Sequence, residues 1–92
     1  MELGPVGATI RRKLQDRFGP SSLEVIDESQ QHAGHAGADA RGESHFRIRL
    51  VADAFAGLGR VARHRLINTA LAEELATRVH ALAIEAKASG EP

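Results

Sequence analysis

His45-Phe46-Arg47-Ile48-Arg49-Leu50-Val51 is the stretch on which the fold turns. Phe46, Ile48 and Leu50 share one side and His45, Arg47 and Arg49 the other, the two-residue period of a strand with one face on a core and one in water. Upstream, Ser22 to Glu28 carries Leu23, Val25 and Ile26 and reads as a shorter strand running into a polar segment. The two strands are expected to pair as an antiparallel hairpin. Between them, Gln30 to Gly42 (QQHAGHAGADARG) has turn formers and no large aliphatic residue, so a mobile connection is expected. A connection of that length is uncommon in a compact domain unless it carries a function.

On the N-terminal side, Pro5 suits a first helical turn, and Val6, Ile10, Leu14 and Phe18 recur every four residues until Gly19-Pro20 stops the helix. On the C-terminal side, Ala54 to Gly59 is a turn region. Helical spacing returns from about Arg60 through Val61, Ile67, Leu71 and Leu75, with a break near Ala76 to Arg78. Val79 to Ala86 reads as a third strand, with His80, Leu82 and Ile84 on one parity and Val79, Ala81 and Ala83 on the other. The polar KASGEP tail is expected to fray. Helix, strand, strand, helix, strand makes an α+β layer: a three-stranded sheet with the helices on one face, the last strand parallel to one of the hairpin strands. One domain is expected over residues 1–92, with its core at about 8–87 and a frayed tail at 88–92.

The composition narrows the chemistry. A chain of 92 residues supports one core, and with neither Trp nor Tyr that core must be aliphatic around Phe18, Phe46 and Phe55. Twelve basic residues balance twelve acidic ones, which disfavours a polyanion binder held by bulk charge. The absence of cysteine excludes disulfides, a thiolate cage made by this chain alone and a cysteine nucleophile. No apolar run approaches a membrane span and the N-terminus has no basic, then apolar, leader pattern, so a soluble cytoplasmic protein is expected.

Several residues are candidates for function. By spacing alone, His80 belongs beside Leu82 and Ile84 at the start of a strand, where packing is the ordinary role. His32 and His35 lie three apart among glycines and, taken alone, read as solvated imidazoles. His45 is expected at the surface or supporting a neighbour. Arg60, Arg63, His64 and Arg65 form the most basic segment of a neutral chain and could meet phosphates or an acidic partner. The adjacent Gly57-Leu58-Gly59 is not the GxxG clamp of KH domains, and stacking residues of the Tyr and Trp type are missing. Ser44-His45 and Asp27-Glu28 lack the nucleophile, base and orienting group of a hydrolytic site, so catalysis is not expected.

Leu23-Glu24-Val25 leading to Asp27-Glu28-Ser29, then His32-Ala33-Gly34-His35, Ser44-His45-Phe46, Phe55-x-Gly57, Arg63-His64-Arg65 and Val79-His80-Ala81-Leu82-Ala83-Ile84 together resemble the BolA family in order and spacing, from about Ile10 to Ala86. The resemblance implies an αββαβ fold similar to a class II KH domain. It also implies a heterodimer with a monothiol glutaredoxin bridging a 2Fe-2S cluster, for cluster trafficking or iron and redox regulation. Glutaredoxin and its glutathione would supply thiolates, and no cofactor is expected in the free chain. In that family the histidine at the start of the last strand is a ligand, which corresponds to His80. A second ligand comes from the loop between the first two strands, and here it matches His32 or His35. The alternative that the family implies is a DNA-binding transcriptional regulator of stress response and cell morphology, with Arg60, Arg63 and Arg65 on the nucleic acid.

Overall fold

The computed structural model describes residues 3–29 and 42–92. Helix α1 spans Pro5–Phe18 with Pro at its start, and it ends where Gly19, at φ 52°, turns its N–H back to the Gln15 carbonyl. Left-handed backbone of this kind is cheap for glycine alone. The four-residue apolar stripe buries Ile10 and Leu14. The start of α1 is capped from far away in sequence. Gly4 offers no side chain, and one carboxylate oxygen of Glu43 accepts the N–H groups of Val6 (2.9 Å) and Gly7 (3.1 Å).

Strand β1 (Ser22–Asp27) runs antiparallel to β2 (His45–Val51), and β3 (Ala81–Lys87) runs parallel to β2, giving the order β1-β2-β3. Val25 and Ile84 both stand opposite Ile48. The alternation seen in the sequence therefore continues across the sheet. Phe46, Ile48 and Leu50 join Ile10 and Leu14 in the core, together with Ile67 and Leu71. The helices cover this face alone. The other face carries a ladder of charge, with Arg49 bridging Glu24 (3.2 Å) and Glu85 (2.8 Å), and Arg47 on Glu28 (2.9 Å). Exposed pairs of this kind add little stability, but charged side chains keep an uncovered sheet face soluble.

A short 3-10 turn at Asp53–Phe55 links β2 to α2 (Arg60–Ala70), which is followed by α3 (Ala72–Thr77). The single helix expected from Arg60 to Leu75 is thus two. Leu71 interrupts it at φ −107°, ψ 22°, without any Gly or Pro to signal the break, and its side chain is buried in the core. No helix among the described residues is long and apolar enough to cross a membrane.

The tail also departs from expectation. Three of its residues make specific contacts: Ala88 is buried, its N–H meets the Glu91 carboxylate at 2.6 Å, and Ser89 donates to Asp53 at 2.6 Å. Arg63 completes the latch, 2.7 Å from Glu91, and donates to the Ala86 carbonyl at 3.0 Å. The Arg63 guanidinium and, after it, the Ala88 amide hold the Glu91 carboxyl below its ordinary value. A carboxyl depressed in the folded state stabilises above its unfolded pKa, and that contribution is lost as pH falls through the folded value. The Ala88 amide resonance is accordingly expected to titrate on acidification, below the usual carboxylate range, and to lose that transition in Glu91→Gln. An Ala88 shift independent of pH would mean that the latch does not form.

Candidate functional site

The end of β1 and the starts of β2 and β3 meet at one edge of the sheet. Register places Asp27 opposite Phe46 and His45 opposite Ala81, so the three strands begin or finish within a residue of one another. Ser29 closes this edge: its hydroxyl oxygen accepts the N–H of Ser44 (2.8 Å) and of His45 (3.3 Å), and the Asp27 carboxylate accepts the Ser29 N–H at 2.9 Å. The long connection between β1 and β2 therefore leaves and rejoins the sheet at the same point. Its histidines, His32 and His35, lie outside the described residues.

His80 sits at this edge. Strand pairing starts only at Ala81, so His80 occupies the bend before β3, and its side chain is exposed rather than packed beside Leu82 and Ile84. The buried residue here is its neighbour Val79. Two-residue parity carries no information beyond the first paired residue, and that is why spacing placed His80 on the core side. Its main chain is nevertheless fixed. The Ser44 carbonyl accepts the N–H of His80 (2.7 Å) and of Ala81 (3.2 Å).

His45 also departs from expectation. It points to the sheet face away from the helices, as its parity requires, yet only 6% of its surface is exposed. Its Nδ1 lies 2.9 Å from the Ser44 hydroxyl oxygen, and its ring centroid lies 5.4 Å from that of His80, with the planes tilted by 48°. Next to His45 a depression of about 260 Å³ opens over Ala81 and Ala83, bounded by Glu28 and Arg47. The capping Glu43 is the residue here that sequence reasoning passed over, whereas His45, expected at the surface or supporting a neighbour, is buried beside Ser44. The off-core parity of His45, beside a long connection, was the available sign; for Glu43 there was none.

The basic segment is dispersed. Arg60 and Arg65 are exposed on α2 and His64 is half-buried, but the Arg63 side chain is 12% exposed and engaged by Glu91 and the Ala86 carbonyl. It belongs to the tail latch. Among the described residues, no group of three or more His, Asp or Glu side chains is placed to hold a metal ion. A larger groove, about 530 Å³ between α1 and α2, is lined by Arg12, Lys13, Asp16, Arg17, Thr69 and Ala70. Its Lys13 is already paired with Glu74 at 2.9 Å.

Comparison with known proteins gives a consistent picture. A family model described as BolA-like protein matches residues 14–91. An uncharacterized protein in the cobS 5′ region of Sinorhizobium sp is 58% identical over 85 residues, 91% of each chain. SufE-like protein 1, chloroplastic/mitochondrial, of Arabidopsis thaliana is 50% identical over 97% of this chain, which spans only 25% of that protein. The solved BolA domain of Arabidopsis SufE1 matches with a TM-score of 0.90 at 48% identity, covering 99% of this chain and 100% of that one. The DNA-binding transcriptional regulator BolA of Vibrio cholerae is 52% identical over 82% of this chain and 67% of its own.

Proposed function

Because the chain belongs to the BolA family, we propose that it is a non-catalytic adaptor that binds a monothiol glutaredoxin and contributes His80 to a 2Fe-2S cluster shared between them. The observation that carries this reading is an exposed imidazole on a main chain pinned at 2.7 Å, at the edge where both ends of the connection bearing His32 and His35 are anchored. The donor set suits the group. Histidine can replace cysteine on one iron of such a cluster and raise its potential. With no cysteine of its own, the chain can supply only the imidazole part, so the thiolates must come from glutaredoxin and glutathione. Free of its partner, it carries no cluster, and the cytoplasm is its proposed compartment. The second ligand is His32 or His35.

Anaerobic reconstitution with a monothiol glutaredoxin and glutathione tests this, read by visible circular dichroism. Wild-type protein is expected to change the cluster spectrum and His80→Ala to leave it as glutaredoxin alone gives it. Of His32→Ala and His35→Ala, the one that repeats the His80→Ala result identifies the loop ligand. A spectrum indifferent to wild-type protein, or unchanged by His80→Ala, would sink the proposal.

The name of the Vibrio cholerae relative and the exposure of Arg60 and Arg65 favour a second reading, as a DNA-binding regulator. Phosphate contacts would make affinity fall steeply with salt, and more so with both arginines than without them. Salt-independent binding would exclude it.

A further inference from the structure

We propose that Ser44 and His45 are positioning residues for His80, holding its imidazole in one orientation before any partner arrives. The part concerning the free protein stands alone; the part concerning the cluster rests on the function proposed above. An exposed side chain on a bend outside a strand ordinarily samples several rotamers, whereas a ligand works best when held within about 0.5 Å and 10–20° of its productive geometry. Backbone and ring are both restrained here, by two consecutive residues. The Ser44 carbonyl takes the N–H groups of His80 and Ala81, fixing where the Cα–Cβ bond of His80 starts. The His45 ring then stands 5.4 Å from the His80 ring, tilted by 48°, within the usual range for paired rings.

His45 is itself rigid, which is what a positioning group requires. It is buried, it lies within β2, and the Ser44 hydroxyl 2.9 Å from Nδ1 fixes which way its ring faces. Opposite it in the sheet stands Ala81, whose methyl leaves the neighbouring space to the two imidazoles. Ser44 is 1% exposed and donates its own N–H to the Ser29 hydroxyl oxygen, so the support is in turn supported. Groups that orient metal-ligating histidines typically change metal affinity about 10- to 100-fold when removed.

The test begins with the free protein labelled in its histidines, measuring the χ1 couplings of His80 and the nuclear Overhauser effect between the two rings. Wild type is expected to show one dominant His80 rotamer and a ring-to-ring effect. His45→Ala should average the couplings, Ser44→Ala should do so partly, and His45→Phe, which keeps a ring but loses the same hydroxyl contact, should match Ser44→Ala rather than His45→Ala. If His45→Ala does not give a dispersed amide spectrum, His45→Asn serves in its place. Averaged couplings in wild type, or couplings unchanged by loss of the His45 ring, overturn the proposal.

In the reconstituted complex, cluster loss is then expected to be about 10-fold faster for His45→Ala and no faster for His45→Phe than for Ser44→Ala. If His45→Phe loses the cluster spectrum as completely as His80→Ala, His45 is a ligand and the positioning role is refuted. A wild-type protein that shows the single rotamer yet never alters the glutaredoxin spectrum would refute the cluster function and leave the positioning of His80 intact.

Discussion

Replacing Phe55 by Ala is expected to remove about 3–5 kcal/mol of stability, the range for truncating a fully buried aromatic ring. Phe55 is 0% exposed and stands in the three-residue 3-10 turn, its ring centroid 5.2 Å from that of Phe18. Neither side of the resulting cavity can close easily. Its N–H is held by the Ala52 carbonyl (3.1 Å), and its own carbonyl holds the Leu58 N–H (3.1 Å), so the turn cannot slide inward. With no Trp or Tyr to share the load, Phe55 is one of only three large rings. A domain of this size has a total stability of roughly 5–14 kcal/mol, so the variant should lose a large fraction of it and melt roughly 15–30 °C lower. Urea unfolding followed by far-ultraviolet circular dichroism measures this, as intrinsic Trp or Tyr fluorescence is not available. A fall of less than about 1 kcal/mol at unchanged m-value would show that the ring does not anchor the core.

Most of this fold was legible because burial writes itself into periodicity. The alternation from His45 to Val51 states which face of β2 meets the helices, and the four-residue spacing from Val6 to Phe18 states which side of α1 meets it in return. Hairpin and crossover rules then leave little freedom in the topology. What was not legible depends on contacts between residues distant in sequence. Leu71 breaks a helix because the core draws it in, with no local breaker to announce the change. Arg63 looked like part of a cationic patch because its neighbours are Arg60 and Arg65, but Glu91 lies 28 positions away and takes its charge.

The site divides in the same manner. A histidine near the start of the last strand could be read from order and spacing, but its exposure could not, because the pleat gives no instruction to a residue just outside the ladder. His45 shows the converse case. Parity correctly sent it to the face without helices, and that face is usually wet, yet His45 is buried, with Ser44 and His80 among its neighbours. The proposed site at this edge thus includes residues whose own sequence signals are weak. The short segment Glu43-Ser44-His45 secures α1, β1 and the entry to β3 together.

Glu43 makes the strongest test of that segment, because two opposing effects meet in one residue. Its carboxylate caps α1, while its backbone at φ 56° occupies left-handed space that costs a non-glycine residue about 1–2 kcal/mol. Glu43→Ala keeps the strain and loses the cap, together with a favourable charge at the helix N-terminus, and is expected to cost about 2 kcal/mol. Glu43→Gly loses the same cap but relieves the strain, offset by the greater freedom of glycine in the unfolded chain, so its cost should be nearer 1 kcal/mol. Glu43→Gln keeps an acceptor oxygen and should cost about 0.5 kcal/mol. Gly4→Ala supplies an independent check, since a Cβ there would stand 2.5 Å from the capping oxygen and displace it. Because both changes break the same contact, Gly4→Ala should cost little more once Glu43→Ala is in place, and the double variant should fall short of the sum. Urea unfolding of wild type and the five variants decides the matter: Glu43→Gly less stable than Glu43→Ala would mean that residue 43 is not strained, and strict additivity with Gly4→Ala would mean that Glu43 is not the cap of α1.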